Sequence, residues 1–224
     1  MRRAFYLLFS LSVLSCGNPK NAADTQKEEV KKAPVERKGE TKTILFFGNS
    51  LTAGYGLDNP QEQAFPARIQ QKLDSLKLPY KAVNAGLSGE TSAGGLGRID
   101  WLLKQPVDVF VLELGANDGL RGIAVSDTKK NLQAILDKVK EKYPQAKILV
   151  TGMMVPPNMG EAYAKDFRTV FPGLAEKNTL TLMPFLLEGV AGERKLNQKD
   201  GIHPTAEGAQ IVADNVWKIL QPLL

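Results

Sequence analysis

Ser50 stands where an apolar run meets a glycine-flanked turn, in the stretch "FFGNSLTAGYG". Such a serine can be a helix N-cap, because its hydroxyl can accept a hydrogen bond from a following backbone N–H. It can also be a nucleophile if a base removes its proton, and histidine is the usual base. The chain has one histidine, His203, in the polar loop "KDGIHPTAEG", and Asp200 precedes it by three residues. A serine-histidine mechanism would therefore use Ser50 and His203, with Asp200 holding the imidazole.

Acyl transfer also needs hydrogen-bond donors for the oxyanion that develops on the attacked carbonyl. Two stretches could supply them: the glycine-rich loop "GLSGETSAGG" (86–95), through a backbone N–H, and "GAND", through the side-chain amide of Asn117. Each stretch could equally be a simple turn. The loop lacks the Lys-Ser/Thr ending of a P-loop and has no clean dinucleotide fingerprint, which disfavours a nucleotide site.

Strands and helices alternate along the chain after residue 42. The stretches that predict strands are residues 43–48, 80–86, 107–115, 146–154 and 179–183, of which 43–48 and 107–115 are the most apolar. The stretches that predict helices are residues 64–77, 92–105, 126–142, 161–177 and 205–220. Such alternation predicts an α/β domain whose parallel sheet is covered on both faces. Functional groups in such folds collect outside the carboxyl ends of the strands, which is where Ser50 and Asn117 stand.

Four sequence blocks resemble those of the SGNH hydrolases, also called the GDSL esterase/lipase family. The blocks are "FFGNSLTAGYG" with Ser50, "NAGLSGETSAGGLGR" with Gly89, "ELGANDGLRG" with Asn117, and "DGIHPTAEG" with Asp200 and His203. They occur in the family's order and span the whole predicted domain. The resemblance is strongest to the bacterial branch of multifunctional thioesterases, lysophospholipases and arylesterases.

The resemblance implies a role for each of these residues. Ser50 would be the nucleophile, His203 the base and Asp200 its orienting partner. The oxyanion hole would consist of the Ser50 and Gly89 backbone N–H groups and the Asn117 side chain. One residue departs from the family pattern, since Gly-Asn-Ser-Leu replaces Gly-Asp-Ser-Leu. Asn49 can still accept a turn or cap hydrogen bond, but it removes a negative charge beside the nucleophile.

The fold expected is a three-layer α/β/α sandwich with a five-stranded parallel sheet of flavodoxin-like order. The reaction expected is hydrolysis of an acyl ester, thioester or lysophospholipid through an acyl-enzyme, with no metal and no cofactor. The apolar segment 153–163 could line an acyl groove, or could equally be surface packing. Two alternatives remain open: a carbohydrate O-deacetylase on the same fold, and a non-catalytic binding lipoprotein.

The N-terminus has the features of an export signal. Arg2 and Arg3 precede an apolar stretch of signal length that ends at Cys16, the only cysteine. We interpret residues 1–16 as a signal peptide with a lipobox cysteine, against the alternative of an ordinary signal with an incidental cysteine. Residues 17–42 are polar, charged and free of aromatics, which predicts a flexible tether. The domain is then residues 43–224, exported and lipid-anchored to the cell envelope, facing the periplasm or the exterior.

The charge distribution disfavours nucleic acid as a partner. The chain has a net charge of +5, but residues 43–224 hold 20 basic and 19 acidic side chains. A protein that follows a phosphate backbone needs a basic patch or stripe, and a nearly neutral domain offers none. The partners that the family resemblance and the predicted lipid anchor imply are a small acyl substrate and a membrane. We expect the domain to be a monomer.

Overall fold

A five-stranded parallel sheet is the framework of the computed structural model, which describes residues 40–224. The strands are β1 (Lys42–Gly48), β2 (Tyr80–Gly86), β3 (Val109–Glu113), β4 (Lys147–Thr151) and β5 (Thr181–Met183). Their order is β2-β1-β3-β4-β5. This is the flavodoxin-like order, so the predicted fold is confirmed.

Nine α-helices accompany the sheet in the described part of the chain. They are α1 (Ser50–Ala53), α2 (Pro60–Gln63), α3 (Phe65–Ser75), α4 (Ser92–Leu102), α5 (Ala116–Leu120), α6 (Val125–Lys142), α7 (Glu161–Arg168), α8 (Val170–Asn178) and α9 (Ala206–Leu220). Single 3₁₀ turns lie at Pro157–Met159 and Gln221–Leu223. Among residues 40–224, no helix combines the length and apolar character that crossing a membrane requires.

The predicted signal peptide, Cys16 and most of the predicted tether lie outside the described residues. The first strand, β1, begins at Lys42, one residue before the predicted start of the domain. The boundary between tether and domain stays a prediction.

Helices cover both faces of the sheet. Neighbouring side chains of β1 point to opposite faces, so each face has apolar side chains that a helix must bury. Phe46 packs edge-on against Phe65 of α3, with ring centroids 5.6 Å apart. Phe47 faces the other side, where a Cβ added to Gly95 of α4 would lie 3.2 Å from its ring. On the first side α3 packs with α9, and on the second α4 packs with α6. The result is the predicted three-layer sandwich.

The predicted helix 161–177 is wrong in one respect, since the structure divides it into α7 and α8 at Thr169. Pro172 stands three residues after this break. Proline has no N–H to bond the carbonyl of Arg168, so the α7 ladder cannot continue through it, whereas the first turn of a new helix tolerates the loss. The proline therefore explains the break.

The register of the strands brings three chain segments to one edge of the sheet. Gly48, the last residue of β1, pairs with Gly86 at the end of β2 and with Glu113 at the end of β3. The segments that follow these strands carry Ser50, the glycine-rich loop and Asn117. The predicted site residues therefore emerge side by side, as the carboxyl-edge rule requires.

Gly48 is needed at this edge because no side chain fits there. A Cβ at this position would lie 2.0 Å from Thr52 Oγ1 and 2.5 Å from Glu113 Oε2. We expect Gly48→Ala to lower the free energy of unfolding by about 1–3 kcal/mol, as overpacking does. Gly97→Ala in α4 is the control, because a Cβ there meets nothing within 4 Å and alanine favours a helix. Urea unfolding of both variants checks this, and equal stabilities would contradict it.

Candidate active site

Asn49, and not Ser50, is the N-cap of α1. The Asn49 side chain accepts a hydrogen bond from the Leu51 N–H at 3.0 Å. Ser50 is the first residue of this four-residue helix, which ends at Gly54 in the left-handed conformation (φ 76°). Since another residue does the capping, the Ser50 hydroxyl is free for chemistry.

The Ser50 hydroxyl begins the hydrogen-bonded series that a serine-histidine-aspartate triad requires. Ser50 Oγ lies 2.9 Å from His203 Nε2, and His203 Nδ1 lies 2.7 Å from Asp200 Oδ2. Burial alone would raise the pKa of Asp200, but hydrogen bonds from the His203 ring and from the His203 and Ile202 backbone lower it to about 2. Asp200 is thus a carboxylate that accepts a hydrogen bond from Nδ1–H, which leaves Nε2 with a lone pair facing Ser50.

The side-chain amide of Gln198 holds the loop that carries His203 to the segment that follows Ser50, through hydrogen bonds. Gln198 Nε2 donates to the carbonyl of Tyr55 at 2.8 Å and to that of Pro204 at 2.9 Å. The Gln198 N–H donates to the His203 carbonyl at 2.7 Å. The Tyr55 ring also packs against the imidazole, with centroids 4.8 Å apart. The Gln198 bonds therefore fix the backbone that carries His203, and the Tyr55 contact supports one side of the ring.

The three predicted oxyanion donors lie at the same sheet edge. Gly89 has a φ of 79°, which glycine adopts readily, and its carbonyl accepts a hydrogen bond from Arg121 Nη2 at 2.8 Å. Asn117 lies in α5, and its amide nitrogen donates to the carbonyl of Glu90 at 2.9 Å. That bond uses one of the two amide N–H groups, so the second can serve a substrate. The bond also joins the Asn117 helix to the Gly89 loop.

Buried charged residues that sequence reasoning missed support this edge. Glu90 is 6% exposed and forms an ion pair with Arg98 of α4. Arg98 Nη2 also donates to the carbonyl of Ala85 at 2.8 Å, and its guanidinium lies 4.5 Å from the centre of the Phe47 ring. One guanidinium thus joins the end of β2 to the loop that carries Gly89. No local pattern marks this pair, because the partners are eight residues apart.

Asp118 performs a similar role beside Asn117. It is fully buried, and it accepts hydrogen bonds from the Ser92 N–H at 2.8 Å and from the Ser92 hydroxyl at 2.5 Å. Thr128 Oγ1 lies 3.3 Å from the same carboxylate. These bonds fix α5 against the start of α4 and against α6. Its place in "GAND", directly after Asn117, was the one available signal.

An apolar pocket lies beside Ser50 and His203. Its walls come from α1, α3, α9 and the loops before α2 and α9; the apolar side chains are Leu51, Tyr55, Leu57, Phe65, Leu187, Pro204, Ala209 and Val212. Segment 153–163, the predicted acyl groove, does not line this pocket. Instead Val155 packs on Gly119 of α5, and the Tyr163 hydroxyl donates to the Ile123 carbonyl at 2.7 Å. These contacts fit the packing alternative.

Known proteins resemble this chain in sequence and in fold. Residues 46–211 match the GDSL-like Lipase/Acylhydrolase family. Esterase TesA of Pseudomonas aeruginosa is 39% identical over 191 residues, which cover 85% of this chain and 93% of that protein. The thioesterase 1/protease 1/lysophospholipase L1 of Escherichia coli K12 is 39% identical over 183 residues, 81% of this chain and 85% of that protein.

A solved structure gives the same result in three dimensions. The psychrotrophic esterase EstA from Pseudoalteromonas sp., inhibited by monoethylphosphonate, aligns with a TM-score of 0.75 and 36% identity, over 81% of this chain and 97% of that chain. Sequence and fold therefore agree, and the chain belongs to the GDSL-like lipase/acylhydrolase family and is a hydrolase of ester bonds.

Proposed function

We propose that the protein hydrolyses acyl esters and acyl thioesters, lysophospholipids included, through an acyl-enzyme on Ser50. The single observation that carries the proposal is the bonded series from Ser50 through His203 to Asp200. Apolar side chains surround the small hollow beside Ser50, which is compatible with an acyl group at that position. The named activities of the relatives, esterase and thioesterase/lysophospholipase, support the same substrate class.

The chemistry follows from the positions of the atoms. His203 Nε2 removes the Ser50 proton as Oγ attacks the acyl carbonyl carbon. The negative charge that forms on the carbonyl oxygen is met by donors of the Ser50 and Gly89 backbone and of the Asn117 side chain. His203 then gives the proton to the departing alcohol or thiol, and the acyl group stays on Oγ as an ester. Water, activated by the same imidazole, attacks that ester and releases the carboxylic acid.

Acyl-chain length separates this function from the O-deacetylase alternative. The side chains beside Ser50 include leucine, phenylalanine and valine, so an acyl chain that lies over this surface would bury apolar area that an acetyl group cannot reach. Each buried methylene contributes about 0.8 kcal/mol, so kcat/KM for p-nitrophenyl octanoate should exceed that for the acetate by at least about tenfold. An acetylated xylan oligosaccharide is the control. Preference for acetate together with turnover of the oligosaccharide would favour the deacetylase.

The remaining alternative is a lipoprotein that binds without catalysis. Binding requires no general base aligned on a hydroxyl, whereas the Ser50 hydroxyl and His203 ring lie at hydrogen-bond distance. The triad and the predicted oxyanion donors all come from one chain, which supports activity as a monomer. We therefore disfavour a purely binding role.

We further propose that Cys16 is lipidated and tethers the domain to the cell envelope, outside the cytoplasm. The support is the apolar signal-length stretch that ends at the single cysteine. Cys16→Ser should move the protein from the membrane fraction to the soluble fraction, because a serine cannot carry the thioether-linked lipid. Fractionation followed by immunoblotting measures this, with a variant that lacks residues 1–39 as the soluble control. Equal fractionation of Cys16→Ser and wild type would contradict the anchor.

A further inference from the structure

Glu113 is a carboxylate with no solvent exposure, at the last position of β3. None of the chemical steps above uses it. An isolated buried carboxylate is costly unless hydrogen bonds compensate the lost hydration. Its bonding partners therefore indicate why the chain keeps it.

All four donors to Glu113 belong to the two residues that flank Ser50 and Leu51. Oε2 accepts from the Asn49 N–H at 3.0 Å, the Thr52 hydroxyl at 2.7 Å and the Thr52 N–H at 3.3 Å. Oε1 accepts from Asn49 Nδ2 at 2.8 Å. The carboxylate thus binds the turn that carries Ser50 at positions before and after the serine.

The bond to Asn49 Nδ2 also decides which way the Asn49 amide faces. With the nitrogen on Glu113, the oxygen Oδ1 caps the Leu51 N–H at 3.0 Å and lies 3.4 Å from Ser50 Oγ. If the amide turned over, its N–H groups would face the Leu51 N–H and the Ser50 hydroxyl instead. The Leu51 N–H would then lose its cap and face another donor, so the turn that carries Ser50 would shift away from its position beside His203.

We propose that Glu113, as a carboxylate, is a positioning residue that orients Asn49 and thereby fixes the turn that carries Ser50 beside His203. Asn49 is the partner that this arrangement requires. Where the family pattern has aspartate, this chain has an amide that always donates, so an ionised Glu113 meets a donor there and shares no proton with it. The inference concerns the site of the proposed function and assumes that Ser50 is the nucleophile.

Protonation of Glu113 would disrupt the arrangement. The backbone N–H groups of Asn49 and Thr52 can only donate, so an added proton on Oε2 would face donors. Burial raises the pKa of Glu113 to about 7, although the bonds from Thr52 and Asn49 oppose that rise. Activity should therefore decrease as the pH falls through neutrality, in addition to the loss caused by protonation of His203.

The charged groups on the surrounding elements have partners of their own. Arg98 of α4 is paired with Glu90, and Asp118 of α5 is bound to Ser92. On the side of α1, Ser50 is hydrogen-bonded to His203, which is bonded in turn to Asp200. On the side of β2, the residue that contacts the turn is uncharged: the Asn84 side-chain amide donates to the Thr52 carbonyl at 2.7 Å.

The test exchanges the carboxylate and the amide between positions 113 and 49. Glu113→Gln keeps the shape but places an NH₂ group opposite Asn49 Nδ2, so kcat should fall about 10- to 100-fold with KM within about threefold. The double variant Asn49→Asp with Glu113→Gln reverses the bond, because the introduced aspartate can accept from the glutamine amide. Its kcat should return to within about fivefold of wild type. Glu141→Gln, on the exposed face of α6, is the control and should match wild type.

The rate of Ser50 modification by a fluorophosphonate, per folded molecule, is the second measurement. It should fall in Glu113→Gln in parallel with kcat, which lost stability alone would not cause. Unchanged kcat in folded Glu113→Gln, or failure of the double variant to recover, would overturn the proposal. An inactive wild type would instead count against the proposed function.

The single variant Asn49→Asp keeps the test decisive if Glu113→Gln does not fold. It places two carboxyl groups about 2.8 Å apart, so they must share one proton. Loss of that proton at alkaline pH should separate them and give kcat/KM an alkaline decline that wild type lacks. Identical pH profiles for Asn49→Asp and wild type would overturn the proposal.

Discussion

The His203→Ala variant should lose about 10⁴- to 10⁶-fold in kcat toward p-nitrophenyl esters. The imidazole is the base that contacts Ser50, and the chain contains no other histidine that could replace it. For the same reason kcat/KM of the wild type should fall at acid pH, where the imidazole is protonated and cannot accept the serine proton. Steady-state kinetics from about pH 5 to about pH 9, the range in which histidine side chains generally change charge, measure both effects.

Active-site labelling identifies the nucleophile independently of any substrate. A fluorophosphonate should modify Ser50 in the folded wild type, as intact-mass and peptide mass spectrometry would show. Ser50→Ala should remain unmodified, and His203→Ala should react far more slowly because its serine keeps the proton. A His203→Ala enzyme within tenfold of wild-type kcat would remove His203 from the mechanism. Labelling at another serine would do the same for Ser50.

Asn117→Ala should lower kcat by about 10²- to 10³-fold while KM changes much less, as removal of one oxyanion donor does. The bond to the oxyanion forms mainly in the transition state, so the loss falls on the chemical step. The substitution also removes the bond to the Glu90 carbonyl, which should lower the free energy of unfolding by about 1 kcal/mol.

Asn215→Ala in α9 is the matched control for Asn117→Ala. Its amide likewise donates to a backbone carbonyl, that of Glu188 at 2.9 Å. It should therefore lose comparable stability but no kcat. If Asn117 were only a turn residue, the two variants would behave alike, with kcat of the folded Asn117→Ala within a few-fold of wild type. Kinetics and thermal unfolding of both proteins decide between these outcomes.

Features with a regular period or a unique residue could be predicted from the sequence. Strands β1, β3 and β4 are largely apolar runs, and the parallel α/β fold follows from the alternation of strands with helices. His203 could be identified because it is the one histidine and lies near a carboxylate in a polar loop. The carboxyl-edge rule, applied to the predicted strand ends, then brings Ser50 and Asn117 near one another.

Contacts between distant segments could not be predicted in this way. Glu113 looked like one polar residue at the end of a strand, because its donors lie more than 60 residues earlier in the chain. The pair of Glu90 and Arg98 has no helical or strand spacing that would mark it. The apolar pocket draws on four separate parts of the chain, whereas the predicted groove, segment 153–163, was one continuous apolar stretch. Only the packed fold brings such groups together.

The distance along the chain between Ser50 and His203 has a consequence for folding. Their hydrogen bond closes a loop of 153 residues, and the brace from Gln198 to Tyr55 closes one of 143. His203 also follows the last strand of the sheet in the chain, since β5 ends at Met183. A nascent chain that has just completed its sheet would therefore still lack the base that activates Ser50. Hydrolytic activity would therefore appear only with the completed native state, so an immature chain could not attack acyl esters.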